Sequence, residues 1–188
     1  MDGNLVSDAM LLERARSGNE AAFFDLYQRY RRPVFQFAWR LTGSEALAED
    51  IAQECFLALL EGAGYDAGRG GLRTYLLGIA RHRALRCLRT NEREAPEPEE
   101  PPADAAPDSL SAMLAAERAA LVERAISALP LLQRQALILF EYEDLSMEEI
   151  AQVTESDVGA VKARLFRARE SLRRKLAPSM AEPARGTQ

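Results

Sequence analysis

Along most of this chain apolar residues return every three or four positions, the spacing of helices with one buried face, and the pattern predicts an all-α fold. Ser7 is placed to cap a first helix whose register runs through Met10, Leu11 and Ala15 until Gly18 offers a stop. Asn19 is placed to cap a second, which carries Ala22, Phe23, Leu26, Tyr27 and Tyr30. Pro33 is expected to break that helix, or to start a new one through Val34, Phe35, Phe37, Ala38 and Leu41. Gly43 then ends the element and Ser44 caps the next, with Leu47, Ile51, Cys55, Ala58 and Leu59 facing inward. Gly62, Gly64, Gly68, Gly70 and Gly71 rule out a regular helix and predict a loop able to lie close to a ligand. The helical period resumes over residues 72–88 with Leu76, Ile79, Ala80 and Leu85.

After Arg89 the text changes to TNEREAPEPEEPPADAAPDSL, where prolines alternate with acids and little is apolar enough to pack. Residues 91–110 are therefore expected to form a flexible acidic linker that repels itself and keeps two domains apart. Residues 7–90 form the first domain in this reading and residues 111–177 the second, with a disordered tail over 178–188. In the second, Met113, Leu114, Leu121, Val122, Ile126 and Leu129 mark one helix, and Pro130 starts another through Leu132, Ala136, Leu137, Leu139 and Phe140.

Residues 145–176 then supply two helices separated by a tight turn. Ser146 stands three residues before Glu149, the spacing of a reciprocal capping box, so a short helix begins there. The polar Thr154, Glu155 and Ser156 interrupt it, and Asp157 is suited to cap the next helix. In that second helix Val158, Val161, Leu165, Ala168, Leu172 and Leu176 make an apolar face. Lys162, Arg164, Arg167, Arg169, Arg173, Arg174 and Lys175 are opposed there only by Glu170. A capped short helix followed by a cationic one fits a helix-turn-helix, although a solvated amphipathic helix would carry the same pattern.

Charge changes the picture only when divided along the chain. The formal net charge is -5, but residues 91–110 hold seven acids against Arg93, a local -6 that leaves +1 for the rest. Residues 69–89 contain Arg69, Arg73, Arg81, Arg83, Arg86 and Arg89 and no acid, together with Tyr75 and the only histidine, His82. Arginines with an aromatic ring beside a glycine-rich loop suit single-stranded DNA, held by charge and stacking. Cys55 and Cys87 lack metal-ligand spacing and read as reduced packing residues. No apolar run reaches about twenty residues and the N-terminus has no signal pattern, so no membrane insertion is expected and the cytoplasm is the expected compartment. Paired carboxylates in a cleft motif, a phosphate loop and metal-ligand spacing are all missing, so neither an enzyme nor a bound cofactor or metal is expected.

Three stretches in this order resemble the extracytoplasmic-function (ECF) sigma factors of bacterial RNA polymerase, in the sigma-70 family. AEDIAQECF (48–56) looks like the family's acidic helix that docks on the polymerase clamp. YDAGRGGLRTYLLGIARHRALRCLR (65–89) is similar to the loop and helix that open and read the minus-ten element. Residues 129–176 resemble the module that reads the minus-thirty-five element. The resemblance implies a sigma factor that directs core RNA polymerase to promoter DNA, with an anti-sigma factor as a partner the family suggests. It implies polymerase contacts at Asp50, Gln53, Glu54 and Phe56. Minus-ten contacts would be Tyr65, Arg69, Arg73, Tyr75, His82, Arg83 and Arg86. Helix-turn-helix contacts would be Gly159, Ala160, Lys162, Ala163, Arg164, Phe166 and Arg167. Departures occur at Leu47, Tyr75 and His82, where the family often has Asp, Trp and Asn. Ala160 and Ala163 replace the frequent Thr and Ser, so two hydrogen bonds to DNA are absent. Glu155 stands where a turn glycine is common and would cost on the order of 1 kcal/mol in a left-handed backbone, so the turn is open to a different form. The rival readings are a stand-alone dimeric helix-turn-helix regulator, which would bind tightly without polymerase, and a helical adaptor, which would ignore DNA.

Overall fold

The computed structural model describes residues 7–62, 64–91 and 110–180, and among these every regular element is a helix. The order is α1 (Asp8–Arg16), α2 (Glu20–Thr42), α3 (Glu45–Leu60), α4 (Leu72–Asn91), α5 (Leu110–Ser127), α6 (Leu131–Glu141), α7 (Met147–Thr154) and α8 (Val158–Met180). The expected acidic linker lies outside the described residues apart from its two ends, Asn91 in α4 and Leu110 in α5.

The local capping signals hold. Ser7, Asn19 and Ser44 accept hydrogen bonds from Met10, Ala22 and Leu47 respectively, and Gly43 closes α2 with φ 74°. Pro33 does not break α2, which is continuous. Proline removes one N–H and crowds the preceding turn, but Leu26 and Tyr30 before it and Val34 and Phe37 after it are buried along one face, and that burial carries the helix through. The tail also differs, since α8 continues past Ala177 to Met180 before leaving the described residues. In α5 Met113, Leu121 and Val122 are exposed, and among the helix's described side chains Ala125 and Ile126 are buried.

The first half is a bundle in which α2 packs against α1, α3 and α4, and α3 against α4. Asp8 on α1 accepts from Arg29 and the Tyr30 hydroxyl of α2, and Arg16 donates to the Leu59 carbonyl at 3.0 Å. Phe37, Leu41, Ile51, Leu59, Leu72, Leu76 and Leu77 fill the interior. Cys55 lies among them, where burial pushes its thiol up to about 12, and it and Cys87 are free thiols. In the second half α6 and α7 pack on each other and on α8, around Ile138, Leu139, Ile150, Val161 and Leu165.

The two halves are not held apart. α7 packs on α4 and α6 on α2, and one connected cluster of buried apolar residues runs through both halves. A self-repelling linker sets only how far two domains are able to separate, and it does not oppose attraction between their faces.

Candidate nucleic-acid interfaces

The helix-turn-helix is built as its sequence predicts. Ser146 Oγ accepts from the Glu149 amide at 3.2 Å while Glu149 accepts from the Ser146 amide at 2.9 Å, closing both arms of the capping box. The Ser146 backbone bond is the main reason the Glu149 carboxyl sits below its ordinary value. Asp157 Oδ1 accepts from the Ala160 amide at 2.8 Å and starts α8. The turn between them keeps the left-handed form despite its residue: Glu155 has φ 51° and ψ 48°. A side chain there is strained on the order of 1 kcal/mol, and the Glu155 carboxylate is mostly exposed in its contact with His82, so little offsets that cost. Glu155→Gly is expected to raise stability by about 1 kcal/mol in chemical denaturation, and an unchanged midpoint would show that the turn is unstrained.

On α8, Val161, Leu165 and Ala168 are buried, and Lys162, Phe166 and Arg167 are exposed on the opposite side, Phe166 at 68%. Gly159, Ala160 and Ala163 share that outward side and give it a low profile, which lets backbone and long neighbours approach a groove. Arg164 stands at the edge and donates to Ser156 Oγ at 3.0 Å. Farther on, Arg169 binds Glu141 at 2.7 Å and covers Phe140, and Lys175 donates to the Ala128 carbonyl, so these cations fasten α8 to its scaffold.

On α3, Asp50, Gln53 and Glu54 are exposed together. Phe56 is not part of that surface and is corrected to a core residue, 3% exposed. It lies on the same stripe as Ala52 and Leu59, and its ring packs on Tyr27 at 5.0 Å and edge-on to Phe23 at 6.3 Å. Glu54 also pairs with Arg83 of α4, which joins a residue expected to meet polymerase to one expected to meet DNA.

The glycine-rich loop does what its composition allows. With α4 it walls a cavity of about 180 Å³ whose lining includes Tyr65, Asp66, Arg69, Gly70 and Tyr75, with the Tyr65 and Tyr75 rings 5.4 Å apart. Gln152 of α7 completes the wall and donates to the Arg69 carbonyl at 2.9 Å. The cationic surface of the loop and α4 is therefore divided. Arg69 and Arg86 are exposed, whereas Arg73 binds Glu143 at 2.7 Å, Arg81 is 8% exposed and donates to Gln135, and His82 meets Glu155 at 2.8 Å. The expectation of two free positive surfaces is corrected for Arg73 and His82, which are occupied by the other half of the same chain.

Reading the sequence missed Glu143, Gln135 and Gln152. The one available signal was polarity out of place: Gln135 interrupts Leu131, Leu132, Ala136 and Leu137, and it is fully buried. Glu143 is 2% exposed, and burial raises its carboxyl above the ordinary value, with Asp144 adding to the rise. The Arg73 hydrogen bond and the charges of Arg73 and Arg40 pull the other way without cancelling it. A carboxyl raised by folding favours the folded state most when protonated, and that contribution is lost as pH rises through the folded value. Glu143→Gln keeps an acceptor for Arg73 and has no charge to desolvate. Its thermal midpoint should match the parent in mild acid and exceed it toward neutral pH, and curves that run parallel would rule out a charged, poorly solvated Glu143.

Comparison with known proteins agrees with this geometry. Residues 26–94 match Sigma-70 region 2, and residues 119–172 match Sigma-70, region 4. The chain is 33% identical to the RNA polymerase sigma-H factor of Pseudomonas aeruginosa, over 93% of this chain and 96% of that one. It is 31% identical to the ECF RNA polymerase sigma-E factor of Escherichia coli, over 92% of this chain and 96% of that one. Its fold is similar to that of the sigma factor RpoE from Bartonella quintana, solved with the anti-sigma factor NepR (TM-score 0.67, 23% identity, 82% of this chain and 96% of that one). It is also similar to CnrH solved with the cytosolic domain of CnrY (TM-score 0.67, 25% identity, 91% of this chain and 97% of that one). A sigma-70 region 2 bundle followed by a region 4 helix-turn-helix, with relatives of this identity along nearly the whole length, means that the chain belongs to the ECF group of the sigma-70 family and is an RNA polymerase sigma factor for transcription initiation.

Proposed function

We propose a division of labour among the side chains of this sigma factor. Asp50, Gln53 and Glu54 meet basic groups of core RNA polymerase, where charge sets orientation and on-rate more than net affinity. The loop and α4 hold the minus-ten strand: Arg69, Arg83 and Arg86 face its phosphates, and the cavity lined by Tyr65 and Tyr75 receives an unstacked base. The outward face of α8 enters the major groove of the minus-thirty-five element, with Lys162 and Arg167 as its cations and Phe166 as its apolar contact. Region 2 occupies residues 7–90 and region 4 begins at residue 111. The chain acts by binding and not by catalysis, and it works in the cytoplasm, where polymerase and promoter are. An anti-sigma factor is a further partner in this reading, supported by the complexes in which RpoE and CnrH were solved.

The observation that carries this reading is the exposed trio Lys162, Phe166 and Arg167 on the helix after the turn. Run-off transcription on a promoter library, with core polymerase and with or without this chain, tests it. Defined start sites should appear only with the chain. Specific DNA binding without polymerase and without new transcripts would favour the stand-alone regulator instead.

A further inference from the structure

Tyr65 is a wall of two cavities. One is the cavity of about 180 Å³ assigned above to an unstacked base. The other, of about 400 Å³, lies where the loop meets α1, and its lining includes Tyr65 and Ala67 of the loop with Leu12, Glu13, Arg16 and Ser17 of α1 and its cap. The α1 wall is tied down at both ends. Asp8 accepts from Arg29 and Tyr30 of α2, and Arg16 donates through Nε and one terminal nitrogen to the Leu59 carbonyl of α3 at 3.2 and 3.0 Å. Ser17 Oγ gives its proton to the Glu13 carbonyl at 2.9 Å, so toward a ligand that oxygen is an acceptor only. We propose that this cavity is a second base subsite: it takes the nucleotide beside the one in the smaller cavity, and Glu13 makes it select bases with an exocyclic amino group over thymine.

The subsite rests on the assignment of the loop and α4 to the minus-ten strand, and three observations carry it further. The first is the shared ring. Aromatic side chains meet successive bases of a single strand, and a ring common to two cavities brings neighbouring nucleotides within reach of both. The second is sign. A cavity for a phosphate is lined by cations alone, whereas the Glu13 carboxylate repels a phosphate and accepts from N–H groups, which a nucleotide offers at its base edge. The third is pattern. Glu13 and Ser17 supply acceptors, and Arg16 commits two of its three nitrogens to Leu59 and leaves one as a donor. Acceptor beside donor matches the Watson–Crick edges of cytosine and adenine, where an amino group adjoins a ring nitrogen, and guanine also brings an amino group. Thymine instead sets a carbonyl oxygen against the carboxylate. Because these groups stand on a helix tied to two neighbours, their geometry is set before DNA arrives.

The test uses the full chain with core RNA polymerase and a barcoded promoter library in which each position of the minus-ten element and its flanks is varied. Transcript counts per barcode report base preference position by position. The parent should use promoters with thymine at one position about tenfold less than those with an amino base there, the size of one specific base contact. Glu13→Gln keeps the side-chain length and adds an amide donor for the thymine carbonyl, so that preference should shrink to about twofold or less while the other positions keep theirs. Glu117→Gln, the same change on the exposed face of α5, should leave it at about tenfold. Glu13 and Glu117 are both exposed, so folding is not at stake.

A base profile in Glu13→Gln that matches the parent at every position overturns the subsite. So does an equal drop on all promoters, which would place Glu13 in a contact with polymerase. The underlying assignment is read in the same library with Arg83→Ala combined with Arg86→Ala. If that variant transcribes the library as the parent does, α4 is not the minus-ten surface and the assignment fails together with the subsite. If it weakens transcription while Glu13→Gln leaves the profile unchanged, the subsite alone fails.

Discussion

A chain carrying Lys162→Ala and Arg167→Ala is expected to lose about a hundredfold of transcription from promoters that need their upstream element. Each major-groove contact of this kind contributes about 1–3 kcal/mol, and two near the lower end multiply to that factor. Both side chains stand on the exposed side of α8, opposite the buried Val161 and Leu165, so their removal leaves the packing of region 4 intact. Run-off assays on promoters with and without a matched upstream element measure it. Equal losses on both promoter classes would mean that the cations serve polymerase binding or general DNA affinity, not upstream reading.

The other large effect concerns the bundle that carries the remaining proposed contacts. Phe37 is fully buried in α2, the helix against which α1, α3 and α4 all pack, and Phe37→Ala is expected to cost about 3–5 kcal/mol. α2 also meets α6, so loss of its core loosens the seat of region 4 as well as the frame of α4. Denaturation followed by circular dichroism should show the midpoint fall, with weaker transcription at temperatures the parent tolerates. A cost below about 1 kcal/mol would mean that the bundle collapses around the gap.

What was legible and what was not divides along one physical line. Ser146, Glu149 and Asp157 bond to amides three residues away or fewer, so the capping box and the start of α8 follow from neighbours in sequence. The outward face of α8 follows in the same way, because helical geometry fixes which of Lys162, Phe166 and Arg167 stand opposite Val161 and Leu165. Phe56 was misassigned because a motif read as a block carries both faces of its helix, and only one of them is exposed. Pro33 was misjudged because its local penalty is read from sequence, whereas the burial that outweighs it comes from α1, α3 and α4.

By itself the sequence determined an all-helical chain with its caps, its two cationic segments and its membership of a promoter-reading family. Each of these depends on residues within a few helical turns of one another. Tertiary structure alone decided that the two segments are not equally free. Arg73 and Glu143 are 70 positions apart, and Gln152 and Arg69 are 83 apart. No local spacing encodes such a pair. It arises when two folded faces of opposite charge come within reach, and whether they stay together depends on the balance of Coulomb attraction against the desolvation of the groups that meet.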